Sequence, residues 1–75
     1  MESVDIKALH KKCVDRLKDL IAEANRTCSL LDSMTESPVT AHTYQQAINQ
    51  RVRENDSHAR YQKVRRRLFD AIRPQ

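Results

Sequence analysis

The chain has 75 residues, no glycine, two prolines and a formal net charge of +4. Tight β-hairpins and glycine-rich phosphate loops depend on glycine for positive φ or close backbone approach, so this composition excludes such loops and points to an all-α chain. No apolar run approaches the roughly 20 residues needed to cross a bilayer, and Met1 to Lys12 is charged throughout, unlike a signal sequence, so the expected location is cytoplasmic.

The first predicted helix covers about residues 3–34, with Ser3 as its N-cap and Asp5 in its first turn, where the helix dipole favours an anion. Its apolar residues fall at Ile6, Leu9, Cys13, Leu17, Leu20, Ala24, Cys28, Leu31 and Met34, in steps of three and four. That spacing is one stripe of an amphipathic helix, widened by Val14, Ile21 and Leu30. Lys7, Lys11, Lys12, Arg16, Lys18, Glu23 and Arg26 occupy the polar face, with Asp15 placed to pair with Lys11 or Lys18. Cys13 and Cys28 stand roughly 22 Å apart along such a helix, too far for a disulfide between them. Both sit in the stripe, so they are expected to be buried free thiols, with a bridge between antiparallel copies as the alternative.

Thr35-Glu36-Ser37-Pro38 is the break. Residues 35–37 are expected to turn, with Ser37 as N-cap and Pro38 at the first position of a second helix over about residues 38–73. The early stripe of this helix is Ala41, Tyr44, Ile48, Val52, Asn55 and Ala59. Folding the chain at the break gives an antiparallel helical hairpin in which Leu31 meets Ala41, Ala24 meets Ile48 and Leu20 meets Val52. Ile6, Leu9, Leu17, Leu20 and Ile48 are expected to hold it together.

After Ala59 the apolar line jumps to Tyr61, Val64, Leu68 and Ile72, nearly opposite the early stripe, with Phe69 and Ala71 beside it. The jump follows Glu54-Asn55-Asp56-Ser57-His58, a run of weaker helix formers. Either a third helix starts at Asp56 or Ser57, or one continuous helix bends near Asn55 and buries different faces at its two ends. The continuous helix is the expectation. Tyr61, Val64, Leu68, Phe69 and Ile72 then form a surface for a second subunit or a protein partner, and the hairpins pair into a dimeric helical bundle. Leu68→Asp is expected to dissolve such an oligomer more readily than it unfolds the first helix.

Charge is concentrated at the C-terminus. Residues 1–34 are neutral, residues 35–57 carry −1 and residues 58–75 carry +5. Arg60, Lys63, Arg66, Arg67 and Arg73 lie away from the late apolar line, making a basic amphipathic helix suited to nucleic-acid phosphates or another anionic surface. Plain helix-surface chemistry accounts for the same residues, and neither a helix-turn-helix nor a zinc finger surrounds them.

No catalytic, cofactor or metal site is expected. His10 and Cys13 share a helix face, but a structural zinc needs four ligands and Cys28 is too far along the helix to join them. A cysteine nucleophile would need a base and an oxyanion site, and two helices enclose no pocket for them. The expected function is non-catalytic: a small single-domain helical protein that self-associates or binds a protein partner as an adaptor, chaperone-like or regulatory subunit. The alternative is a nucleic-acid-binding accessory protein that uses the basic helix.

Overall fold

The computed structural model describes residues 5–36 and 38–73. Two helices account for nearly all of them: α1, Ile6–Glu36, and α2, Ala41–Ile72. They pack antiparallel along their whole length into a hairpin of 58 × 17 × 15 Å. The expected all-α hairpin of two long helices is the observed fold, and among the described residues there is no strand.

Both helix starts differ from expectation. Asp5 is the cap of α1 rather than a first-turn residue. Its Oδ1 accepts from the Ala8 amide at 3.1 Å, and its carbonyl takes the first helical bond, from Leu9. The expected cap Ser3 lies outside the described residues. At α2 the expected cap Ser37 also lies outside them, Pro38 precedes the helix, and Thr40 does the capping. The Thr43 amide donates to Thr40 Oγ1 at 3.2 Å, and the Thr40 amide donates to Thr43 Oγ1 at 2.9 Å. This reciprocal pair satisfies two otherwise orphaned donors, with threonine filling the role glutamate usually takes in a capping box.

α2 runs unbroken through Glu54 to His58. Each weak helix former there costs at most about 0.7 kcal/mol against alanine, which continuous packing along the hairpin can offset. The alternative of a separate third helix is therefore not what forms.

The contact line between the helices follows a strict rule. On α1 the buried and half-buried residues are Leu9, Cys13, Arg16, Leu20, Glu23, Thr27, Leu30 and Met34. On α2 they are Thr43, Ala47, Gln50, Glu54, Ser57, Tyr61, Val64, Leu68 and Ala71. Steps of four and three alternate without exception in both sets, which is the heptad seam of a coiled coil. Counted outward from the turn, Leu30 stands opposite Ala47, Thr27 opposite Gln50, Glu23 opposite Glu54, Leu20 opposite Ser57, Cys13 opposite Val64 and Leu9 opposite Leu68. The seam is apolar at the open end and near the turn, and polar in its middle.

This seam redistributes the predicted stripes. Leu9, Cys13, Leu20 and Met34 lie on it as expected, but Leu17, Ala24, Cys28 and Leu31 are exposed. On α2 the assignment is reversed. Ala41, Tyr44, Ile48, Val52, Asn55 and Ala59 all face outward, while Tyr61, Val64 and Leu68 pack on α1. The reason is geometric. A helix presents one continuous line to a straight partner, so it cannot bury two stripes that lie on nearly opposite faces. The line that buries Val64 and Leu68 runs back through Ser57, Glu54 and Gln50.

Gln50, the buried polar residue of the seam, has partners. Its Nε2 donates to the Glu23 carboxylate at 2.8 Å and to the Glu23 carbonyl at 3.1 Å, and Glu23 also pairs with Arg26. A polar group held this way in a seam specifies register, because sliding one helix by a turn would leave it unsatisfied.

Candidate functional site

In an antiparallel heptad pair the residues flanking the seam sort onto two sides, because the position after each d residue faces its counterpart on the other helix, as does the position before each a residue. The grooves along the hairpin follow this division. Arg26 of α1 shares one groove with Gln46 and Arg53 of α2, and Lys12 of α1 shares another with Arg60 and Arg67 of α2. All six stand immediately before a seam residue, so they mark one polar, largely basic side.

The opposite side is apolar. On α1, Leu17, Ala24 and Leu31 follow the d residues Arg16, Glu23 and Leu30, and Val14, Ile21 and Cys28 follow the a residues Cys13, Leu20 and Thr27 and so interleave with them one step further out. Together they form a second stripe, again stepping by three and four. On α2 the matching positions carry Ala41, Tyr44 and Ile48 near the turn, and Phe69 and Ile72 at the open end. Between them stand Arg51, Asn55, His58, Gln62 and Arg65. These apolar side chains are well exposed: Ile21 50%, Leu31 52%, Tyr44 59% and Phe69 52%. The Arg65 guanidinium sits 5.4 Å from the Phe69 ring centre, within cation–π range.

The balance between the two surfaces is unusual for a lone domain. Among the described residues, only Val64 and Leu68 are buried hydrophobics, whereas eleven large hydrophobics are exposed. The accessible surface is 6427 Å², against roughly 4,800 Å² for a compact monomer of this mass. The elongated shape, 58 × 17 × 15 Å, accounts for the difference.

The five residues expected to form one free apolar face are divided by the fold. Val64 and Leu68 are buried and Tyr61 is half-buried in the seam, so they are spent on the hairpin itself; Phe69 and Ile72 are exposed on the apolar side. The basic residues divide too. Arg60, Lys63 and Arg67 converge on the groove at the open end, which they line together with Lys12 and Arg16 of α1. Arg66 lines a separate depression with Gln62, Arg65 and Phe69, and Arg73 caps the C-terminus of α2. By sequence alone Lys12 and Arg16 belong to the solvated polar face of α1. Counting the hairpin register outward from the turn would have set them opposite Arg60 to Arg67.

Among the described residues the ion pairs are Arg16–Asp19, at 3.5 Å, and Arg26–Glu23, rather than those anticipated for Asp15. Cys13 is half-buried in the seam and Cys28 is exposed on the apolar side, so only one of the two thiols is sheltered as expected. Because α1 is a single helix, they cannot bridge within the chain. Among the described residues no group of histidine, cysteine and carboxylate side chains could hold a metal ion, and no helix is long and apolar enough to cross a membrane. Comparison with protein-family models, with curated proteins and with solved structures finds no match.

Proposed function

We propose that this chain is a non-catalytic helical protein that acts through protein–protein contact, and that its apolar side packs against a second copy of itself. The observation that carries this reading is the Val14–Leu31 stripe on α1, which is exposed along the hairpin while half of the intramolecular seam is polar. One long side of a body 58 × 17 Å offers on the order of 800–1,000 Å², close to what each partner contributes to a standard-size interface. A stripe centred on α1 suits a two-fold axis, with α1 meeting its own copy and Tyr44, Ile48, Phe69 and Ile72 joining at the edges. The product is a dimeric four-helix bundle whose core combines the hairpin seams with the shared apolar side. An adaptor, chaperone-like or regulatory role would use the same side, with a partner's helix replacing the second copy.

Light scattering on the full chain tests the pairing, with Ile21→Asp as the perturbation. The wild type should have twice the mass of one chain, and Ile21→Asp should have the mass of one chain while remaining helical. A helical wild type with the mass of a single chain across the accessible concentration range refutes self-association.

A further inference from the structure

The groove at the open end of the basic side is built from both helices, and five of its six lining residues are cations: Lys12 and Arg16 from α1, and Arg60, Lys63 and Arg67 from α2, with Val64 at its floor. We propose that this groove is a binding site for clustered phosphate groups. The inference is independent of the pairing proposed above, because it uses the other side of the hairpin.

Three observations carry it. The first is convergence. Arg60, Lys63 and Arg67 stand three and four residues apart on one face of α2, and the antiparallel register brings Lys12 and Arg16 against them from α1. Such a concentration of like charge is self-repelling in the free protein, and a bound anion relieves that repulsion. The second is the lack of internal neutralisation. Among the described residues, Arg16 alone of the five has a carboxylate partner, Asp19, at the long distance of 3.5 Å, and Asp70 lines the adjoining groove with Leu9, Arg67 and Ala71 rather than this one. The third is the kind of donor. Three guanidinium forks and two ammonium groups around a groove of about 280 Å³ present many N–H donors in a small space. A single carboxylate cannot neutralise that array, whereas adjacent phosphates carry several charges and acceptor oxygens within a few ångströms.

Phosphates of this density come from a nucleic-acid strand or from a free polyphosphate, and two probes separate the sources. Isothermal calorimetry on the full chain would use sodium tripolyphosphate and, separately, a short single-stranded oligonucleotide, with citrate as a carboxylate control. Tripolyphosphate is expected to bind the wild type, and Lys12→Gln/Arg60→Gln to weaken it at least tenfold. Arg66→Gln/Arg73→Gln removes the same charge outside the groove and should weaken it less than threefold. Tighter binding of the oligonucleotide, with affinity falling steeply as salt rises, assigns the site to nucleic acid; tighter binding of tripolyphosphate assigns it to a free polyphosphate. A melting curve guards against misfolding, because the groove variant should melt no lower than wild type without ligand and lose the stabilisation that tripolyphosphate gives the wild type. The proposal is overturned if neither phosphate probe binds, if citrate binds as tightly as tripolyphosphate, or if the two double variants lose affinity equally.

Discussion

The polar middle of the seam makes a quantitative prediction through Glu23 and Gln50. Gln50 is 8% exposed and donates to both the carboxylate and the carbonyl of Glu23, whose side chain is 14% exposed. Gln50→Leu removes both donors and leaves the Glu23 carboxylate with Arg26 alone. A hydrogen bond to a charged group contributes about 1.5–3 kcal/mol, and an unsatisfied buried acceptor costs a similar amount. For a domain of this size 1 kcal/mol moves the melting temperature by about 4–8 °C, so the single variant should melt roughly 6–24 °C below wild type. Glu23→Leu should cost less, because the backbone carbonyl at 3.1 Å still receives the Gln50 amide. In Glu23→Leu/Gln50→Leu two leucines meet where the paired polar groups were, and the variant should melt near or above the wild type, as buried polar clusters often do when replaced by apolar residues of similar volume. The coupling energy is then at least about 1.5–3 kcal/mol. Thermal melts followed by circular dichroism at matched chain concentration supply the four corners of the cycle. Additive effects, with the double variant losing the sum of the singles, would refute the idea that Glu23 and Gln50 act as one unit.

Leu68, at 8% exposure, should cost about 2–5 kcal/mol as Leu68→Ala. For the same reason, Leu68→Asp should unfold the hairpin rather than merely separate subunits, reversing the sequence-based expectation; loss of oligomer with full retention of helix would contradict this placement. Thr40→Ala should destabilise by about 1 kcal/mol, and adding Thr43→Ala should cost more again, because the residue-40 amide then loses its Thr43 Oγ1 acceptor as well; a urea titration of both variants checks this. Cys28 should react with a thiol reagent faster than Cys13 in a single hairpin, and become protected at concentrations where two copies pair. Unchanged Cys28 reactivity across that range would place the interface elsewhere.

The all-α hairpin could be read in the sequence because its signals are local: steps of three and four, the absence of glycine and a single interruption at Ser37-Pro38. The faces could not be read the same way. α1 carries two overlapping heptad stripes, one through Leu9, Cys13, Leu20 and Leu30 and one through Val14, Leu17, Ile21 and Leu31. A single apolar line drawn through both hops between them. Hydrophobicity also misdirects the choice on α2, where Tyr44, Ile48 and Val52 look like core, and Gln50, Glu54 and Ser57 do not. The seam needs the second set, because only that line continues straight into Val64 and Leu68. Arg16 and Glu23 mislead similarly: a charged residue at a seam position can lay its aliphatic stem along the partner helix while its end group reaches polar partners. The basic groove was half legible, as Arg60, Lys63 and Arg67, because its other half lies on α1 and is joined to it only by register.

The two sides of the hairpin also make a joint prediction about stoichiometry. If two copies meet through the apolar sides, the basic sides are left on opposite outer flanks of the bundle, each complete within one chain. Lys12, Arg16, Arg60, Lys63 and Arg67 all belong to the same hairpin, so tripolyphosphate should bind once per chain and twice per dimer. Opposite flanks of a bundle two hairpins thick are separated by more than two of the roughly 8 Å Debye lengths at physiological salt, so the two events should be nearly independent. Pairing should be insensitive to the anion, and rising salt should weaken phosphate binding while leaving the dimer intact, since burial of apolar surface is not screened. Calorimetry and light scattering on the same sample read both quantities. A stoichiometry of one anion per two chains, or a dimer that appears only with the anion, would mean that the groove is completed across two copies and that the basic side, not the apolar one, is where they meet.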